Sequence, residues 1–146
     1  QSEVTHGHAR AQLCCALYAL WIRRLLDDDP AAWATAVGDL RALTRGDEGL
    51  TAELEFHIAP DRAPGGGGSG YVVDALHSAR GAMLAGPYAD VVRAAIALGH
   101  DTDTTAAIAG GAAGVRDGVA ALPAAWLATL RGRDLIDPLL AGLRER

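Results

Sequence analysis

The alternation of apolar and polar positions is helical from one end of the chain to the other. After a polar opening from Gln1 to His8, Leu13, Leu17, Leu20 and Trp21 recur at helical spacing, joined by Ala16 and Leu25. This predicts a helix from Ala9, with Arg23 and Arg24 in its last turns, where cations suit the helix dipole. Asp27-Asp28-Asp29-Pro30 ends that helix and opens a second, with Asp29 as N-cap and Pro30 at the first helical position. The second helix runs to about Leu43 and buries Trp33, Val37 and Leu40. A turn at Thr44-Arg45-Gly46-Asp47 precedes a short helix from Gly49 to His57. Tyr71 to Leu84 is again amphipathic, with Tyr71, Val72, Ala75, Leu76, Ala79 and Met83 on one side. Tyr88 to Leu98 follows, burying Val91, Val92, Ala95, Ile96 and Leu98, and Gly99 fits its C-terminus. A helix from Asp103 to Arg116 comes next, then one holding Leu122, Trp126, Leu127 and Leu130 with Pro123 in its first turn. Asp134 to Leu143 closes the chain. No alternating strand pattern occurs, and the expectation is an all-α fold of about eight helices.

One stretch interrupts the pattern. Residues 59–70 hold Pro60, Pro64 and the run Gly65-Gly66-Gly67-Gly68, which fits neither a helix nor a strand interior. It reads either as a flexible linker or as a loop whose backbone amides line a ligand pocket. No Lys-Ser/Thr pair follows the glycines, so it is not a P-loop.

Composition narrows the class. At 146 residues, half of them hydrophobic, the chain is one domain or a large part of one. Aromatics are scarce, and alanine, leucine and glycine must carry the core, which favours closely packed helices. The formal charge of −5 comes with no basic cluster, which argues against a nucleic-acid partner. The thirteen arginines stand beside no lysine, a bias of codon usage more than a binding feature. There is no signal-peptide pattern and no apolar run long enough to span a membrane. Cys14 and Cys15 are helix neighbours that point about 100° apart. They read as free thiols in a reducing, cytoplasmic compartment.

The chemistry concentrates between Gly99 and Gly114. Asp101, Asp103 and three threonines precede Ala106, Ala107, Ala109, Gly110, Gly111, Ala112, Ala113 and Gly114. Such small side chains let neighbouring helices approach closely, so this helix is expected at the centre of the fold. Its start carries more oxygen than an N-cap needs. A carboxylate pair with hydroxyls suits a hard cation such as Mg²⁺, Mn²⁺ or Ca²⁺. An EF-hand is excluded. Counting from Asp101, position six is Ala106 where glycine is required, and position twelve is Ala112 where glutamate is required.

The same residues carry a family resemblance. Gly99-His100-Asp101-Thr102-Asp103-Thr104, followed by Ala107-Ile108-Ala109-Gly110 and Gly114, resembles the C-terminal metal motif of the ADP-ribosylglycohydrolases. Ser69-Gly70-Tyr71-Val72-Val73-Asp74-Ala75-Leu76 is similar to that family's Ser/Gly-Tyr-Val helix opening. Leu122-Pro123 with Trp126 resembles its Ile-Pro-x-x-Trp segment, and Thr5-His6 its Thr-His segment. The resemblance implies an orthogonal all-α bundle with a binuclear Mg²⁺ or Mn²⁺ centre. It implies hydrolysis of ADP-ribosyl linkages on a modified protein or small molecule. Asp101, Asp103 and Thr104 would be metal ligands, with the two aspartates catalytic. His6, Ser69, Gly70 and Tyr71 would face the substrate, the last three through a hydroxyl, amides and a ring. His100 stands where the family often has glycine. The family's Gly-Asp-Ala and Thr-Asp-Asp segments, which supply further ligands, do not occur here. Residues 1–146 therefore read as the C-terminal portion of a single domain, with 59–70 as a loop inside it and a possible N-terminal half as partner. The chain alone is expected to be a poor catalyst.

The remaining candidates are weaker. His6 and His8 form a His-x-His pair with no third ligand at a recognisable spacing. Tyr71 serves either a stacking role or the core. His57 and His77 are expected at the surface or the core edge, and neither cysteine has a histidine partner to make it a nucleophile. Two further readings stay open: a catalytically inactive ADP-ribose-binding or regulatory module, and a structural helical domain whose Asp-Thr-Asp-Thr is an elaborate cap.

Overall fold

The computed structural model describes residues 2–144. Among these it contains eight α-helices and no strand. They are α1 (Ala9–Leu26), α2 (Ala32–Thr44), α3 (Glu48–Ala52), α4 (Val72–Ala82), α5 (Tyr88–Ala97), α6 (Thr102–Asp117), α7 (Ala124–Thr129) and α8 (Arg133–Arg144). Helix α1 is the central element and packs on α2, α4 and α6. Leu13, Leu17 and Trp21 of α1 meet Ala36, Val37 and Leu40 of α2 and Val73 and Leu76 of α4 in one buried cluster. Fully burying each large apolar side chain contributes about 1.5–3 kcal/mol.

A second cluster joins α4, α5 and α6 through Ala79, Ala82, Val91, Ala95, Ala109 and Ala113. Five of the six are alanine, which is what allows three helix backbones to approach one another here. Tyr18 of α1 shows how tight the fit is. Its hydroxyl donates to the Ile108 carbonyl at 3.0 Å and lies over Gly111, where a Cβ would approach to 2.6 Å. The small-residue run in α6 is thus a packing surface, as its composition implied.

Several local expectations need correction. Helix α2 begins at Ala32, not Pro30. The Asp29 carboxylate accepts from the Ala31 N–H at 2.7 Å and closes a turn before the helix starts. The segment expected as one helix from Gly49 to His57 is α3 followed by a π-helical turn, Glu53–Ile58. That turn puts Leu54 and Ile58 in the core and ends at Ala59, whose φ is 49°. Ile96 is 50% and Leu98 37% exposed, although both were expected inside. Val91 and Ala95 already fill the inward face of α5, and Leu98, at its C-terminal end, is covered on one side by Gly68.

Trp33, expected inside, is only partly buried, and the Arg80 guanidinium lies over its ring at 4.4 Å. His77 is fully buried, not at the core edge; its Nε2 lies 2.8 Å from the Ile58 carbonyl. Pro138 falls inside α8, and Leu135, Leu139, Leu140 and Leu143 of that helix are exposed. No helix is long and apolar enough to cross a membrane, among the described residues.

Candidate functional site

The turn between α5 and α6 runs through left-handed backbone at Gly99 (φ 75°) and His100 (φ 55°) before Asp101 takes the N-cap position of α6. An N-cap aspartate ordinarily turns its carboxylate back onto the first-turn N–H groups. Asp101 makes no such aligned side-chain bond. Its carboxylate lies against Gly70, where any Cβ would collide with Oδ2. The Thr104 hydroxyl is the largest influence on this carboxyl group, with Asp103 and the Thr104 N–H adding to it, and together they hold it below the usual carboxylate range. Asp103 is exposed, and Thr104 is half-buried one turn along. Capping accounts for the pull of the Thr104 N–H on Asp101, but for neither the exposed second carboxylate, Asp103, nor the close approach of Asp101 to Gly70.

The glycine loop is not a slack linker. The Asp74 carboxylate, on the first turn of α4, accepts from the Gly67 N–H at 2.8 Å, the Ser69 N–H at 2.7 Å and the Ser69 hydroxyl at 2.8 Å. Burial would raise the Asp74 carboxyl, but these three bonds outweigh it and hold it below the usual range. Ser78, one turn further, accepts from the Gly68 N–H at 3.0 Å, and the Gly65 N–H donates to the His77 carbonyl at 3.1 Å. Gly66 sits so close to Ser78 Oγ and Asp74 that no larger residue fits. On its other side the loop meets the turn between α5 and α6, where the Asp101 N–H donates to the Gly68 carbonyl at 3.0 Å.

A pocket of about 400 Å³ opens between α1, α4 and α6. His6, Cys15, Gly70, Tyr71, Thr104 and Ile108 are among its walls. It brings together four of the residues singled out in the sequence: His6, Gly70, Tyr71 and Thr104. Tyr71 is 51% exposed at its edge, so the stacking orientation is open to it and the core role is not. Arg10 donates to the Tyr71 hydroxyl at 2.8 Å and is itself held by Glu53 in a two-pronged ion pair. His6 is exposed, with Nδ1 3.0 Å from the Thr5 hydroxyl oxygen. Ser69 is not a wall of this pocket, since its N–H and hydroxyl both go to Asp74. His8 caps α1, its ring accepting from the Arg10 N–H at 3.1 Å, so it has a local structural role.

The chain matches the ADP-ribosylglycohydrolase family model over residues 1–146. It is a member of the ADP-ribosylglycohydrolase family. No curated protein and no solved structure matches it significantly. The all-α architecture is that of the family, and the glycohydrolase type of reaction comes with membership.

The donor set suits one side of a hard-cation site. Asp101, Asp103 and Thr104 offer two carboxylates and a hydroxyl, and oxygen donors of this kind fit Mg²⁺ or Mn²⁺. Among the described residues no third acid, histidine or cysteine joins them in a cluster. Asp74 and the Arg10–Glu53 pair had gone unread in the sequence. A signal existed for the first. An acid at the third position of a helix can reach back to the N–H groups that precede it, as the N3 acid of a capping box does. Here it reaches past Tyr71 to Ser69 and Gly67.

Proposed function

We propose that this glycohydrolase cleaves ADP-ribosyl linkages in a metal-dependent reaction, with its substrate seated in the pocket between α1, α4 and α6. The observation that carries the reading is the convergence of Tyr71, Gly70, His6 and Thr104 on one cavity of about 400 Å³, with the Asp101 carboxylate against Gly70. Asp101, Asp103 and Thr104 would hold Mg²⁺ or Mn²⁺. When bound, the cation supplies charge for orienting ribose hydroxyls and for lowering the pKa of bound water.

The residues of the chain divide the remaining work. Tyr71 offers its ring face to the adenine, fixed at its hydroxyl by Arg10. His6 stands at the rim, where its second ring nitrogen can reach a ribose or phosphate oxygen. Gly70 lets the substrate approach the backbone without a side chain in the way. Asp103, the more exposed carboxylate, takes the proton of the water that attacks the anomeric carbon, while the departing acceptor leaves with the bonding electron pair.

A second reading is supported by the small ligand set. Two carboxylates and one hydroxyl are few for a metal pair, and by this reading the chain binds ADP-ribose but turns over substrate poorly unless another segment supplies further ligands. Calorimetry with Mn²⁺ and ADP-ribose tests both. Each should bind to the wild-type chain. Asp103→Ala should weaken Mn²⁺ by about tenfold or more, one lost charged ligand being worth at least about 1.4 kcal/mol. Absence of binding by either compound would eliminate both readings and leave a structural helical domain. Hydrolysis of an ADP-ribosylated peptide in the presence of Mn²⁺ or Mg²⁺ then separates the first reading from the second.

A further inference from the structure

The pocket wall and the metal-motif turn are tied together by a group that belongs to neither. Asp74 holds Gly67 and Ser69 by three hydrogen bonds between 2.7 and 2.8 Å. Gly68 lies between these two residues. Its N–H goes to Ser78 and its carbonyl accepts from the Asp101 N–H. Gly70, the next residue after Ser69, touches the Asp101 carboxylate. The Asp74 carboxylate, holding the residues on both sides of Gly68 while Ser78 holds Gly68 itself, therefore helps fix both the loop beside Tyr71 and the surface on which Asp101 rests. A loop with four glycines has a large conformational entropy to lose, and the glycines themselves bring no side chain to order it.

We propose that Asp74 is a positioning residue, which locks the glycine loop against Asp101 so that the substrate wall and the Asp101–Thr104 half-site form one rigid unit. This rests on the metal and ADP-ribose reading above and deepens it. Asp74 touches neither ligand in this arrangement. It acts through Gly68 and Gly70, and its removal should loosen the two sites together.

The test is residue-resolved amide exchange on the full chain, read at Gly67, Ser69 and Asp101, with core amides of α1 as reference. Asp74→Ala should speed exchange about tenfold at all three positions while the α1 amides stay unchanged. The Asp101 effect is the informative one, because it lies 27 positions along the chain from the substitution. Asp74→Asn keeps the size and one accepting oxygen, so it should fall between wild type and Asp74→Ala. It also decides the matter should the alanine variant not fold.

Mn²⁺ and ADP-ribose affinities should each weaken by about fivefold or more in Asp74→Ala, the lower end of typical coupling between sites. Unchanged protection at Asp101 would overturn the proposal. So would a rise in exchange matched by the α1 amides, which would mean a general loss of stability. If the wild-type chain binds neither Mn²⁺ nor ADP-ribose, the functional reading fails, while the Asp101 amide still decides whether Asp74 locks the loop.

Discussion

Substituting Gly68 by alanine should cost far more than the same change at other glycines of the chain. Its φ of 76° is a left-handed conformation, which costs an alanine about 1–2 kcal/mol. The added Cβ would also lie 2.7 Å from the Leu98 Cβ and 3.1 Å from the Gly99 carbonyl oxygen. Neither neighbour is the free end of a flexible side chain, so the loop or the turn must move, and overpacking of this kind costs about 1–3 kcal/mol. The unfolded chain loses some freedom with alanine, which offsets about 0.4–1 kcal/mol. The net expectation is a loss of about 2–4 kcal/mol. For a chain of this size that is a fall of roughly 6–15 °C in melting temperature.

Two internal controls separate the terms. Gly46 has φ 93° with no atom within 4 Å of the position of a Cβ, so alanine there meets the conformational cost alone. Gly46→Ala should destabilise by no more than about 1.5 kcal/mol. Gly38 lies within α2, is exposed and has open space around it, and alanine there should stabilise by about 0.5–1 kcal/mol. Urea titration monitored by circular dichroism measures all three. If Gly68→Ala costs no more than Gly46→Ala, the loop is not packed against the α5–α6 turn, and the coupling of loop to metal motif loses its basis.

Two further outcomes follow from buried groups. Burial, reinforced by Arg62 and Arg80, holds the His77 imidazole below its ordinary value of 6.5, against the Ile58 carbonyl and Asp74, which act the other way. The unfolded state then binds the extra proton first, so stability should fall as the pH drops below about 6.5 and be level above it. His77→Gln should flatten that slope in denaturant titrations between about pH 5 and pH 7, and an unchanged slope would assign it to other groups. The two cysteines should differ sharply in reactivity. Burial pushes the Cys14 thiol up to about 12, while Cys15 is exposed in the wall of the candidate pocket. Mass spectrometry after treatment with a maleimide should find Cys15 labelled in the native chain and Cys14 only after unfolding. ADP-ribose should slow the labelling of Cys15, and indifference to it would count against this pocket as its binding site.

Legibility followed the range of the interactions. The helices were readable because their periodicity is local, and α1, α4 and α6 lie where the apolar spacing put them. The alanine and glycine run of α6 announced a close-packed centre, which the contacts around Ala109, Gly111 and Ala113 bear out. Errors arose where one local feature had two uses. Asp29-Pro30 looks like a helix start, but the Asp29 carboxylate closes a preceding turn instead. His77 has no partner near it in sequence because its partner is a backbone carbonyl 19 positions away. The glycine loop was the hardest case. Four glycines carry no side-chain information, so nothing inside the run distinguishes a linker from an ordered wall. The information lies in Asp74 and Ser78, two polar residues four apart on α4. One face of a helix that presents a carboxylate and then a hydroxyl, just downstream of a glycine run, supplies the acceptors that the run's free N–H groups lack. An ordered glycine loop is therefore encoded in the helix that follows it, and it is on that helix that substitutions should discriminate a wall from a linker.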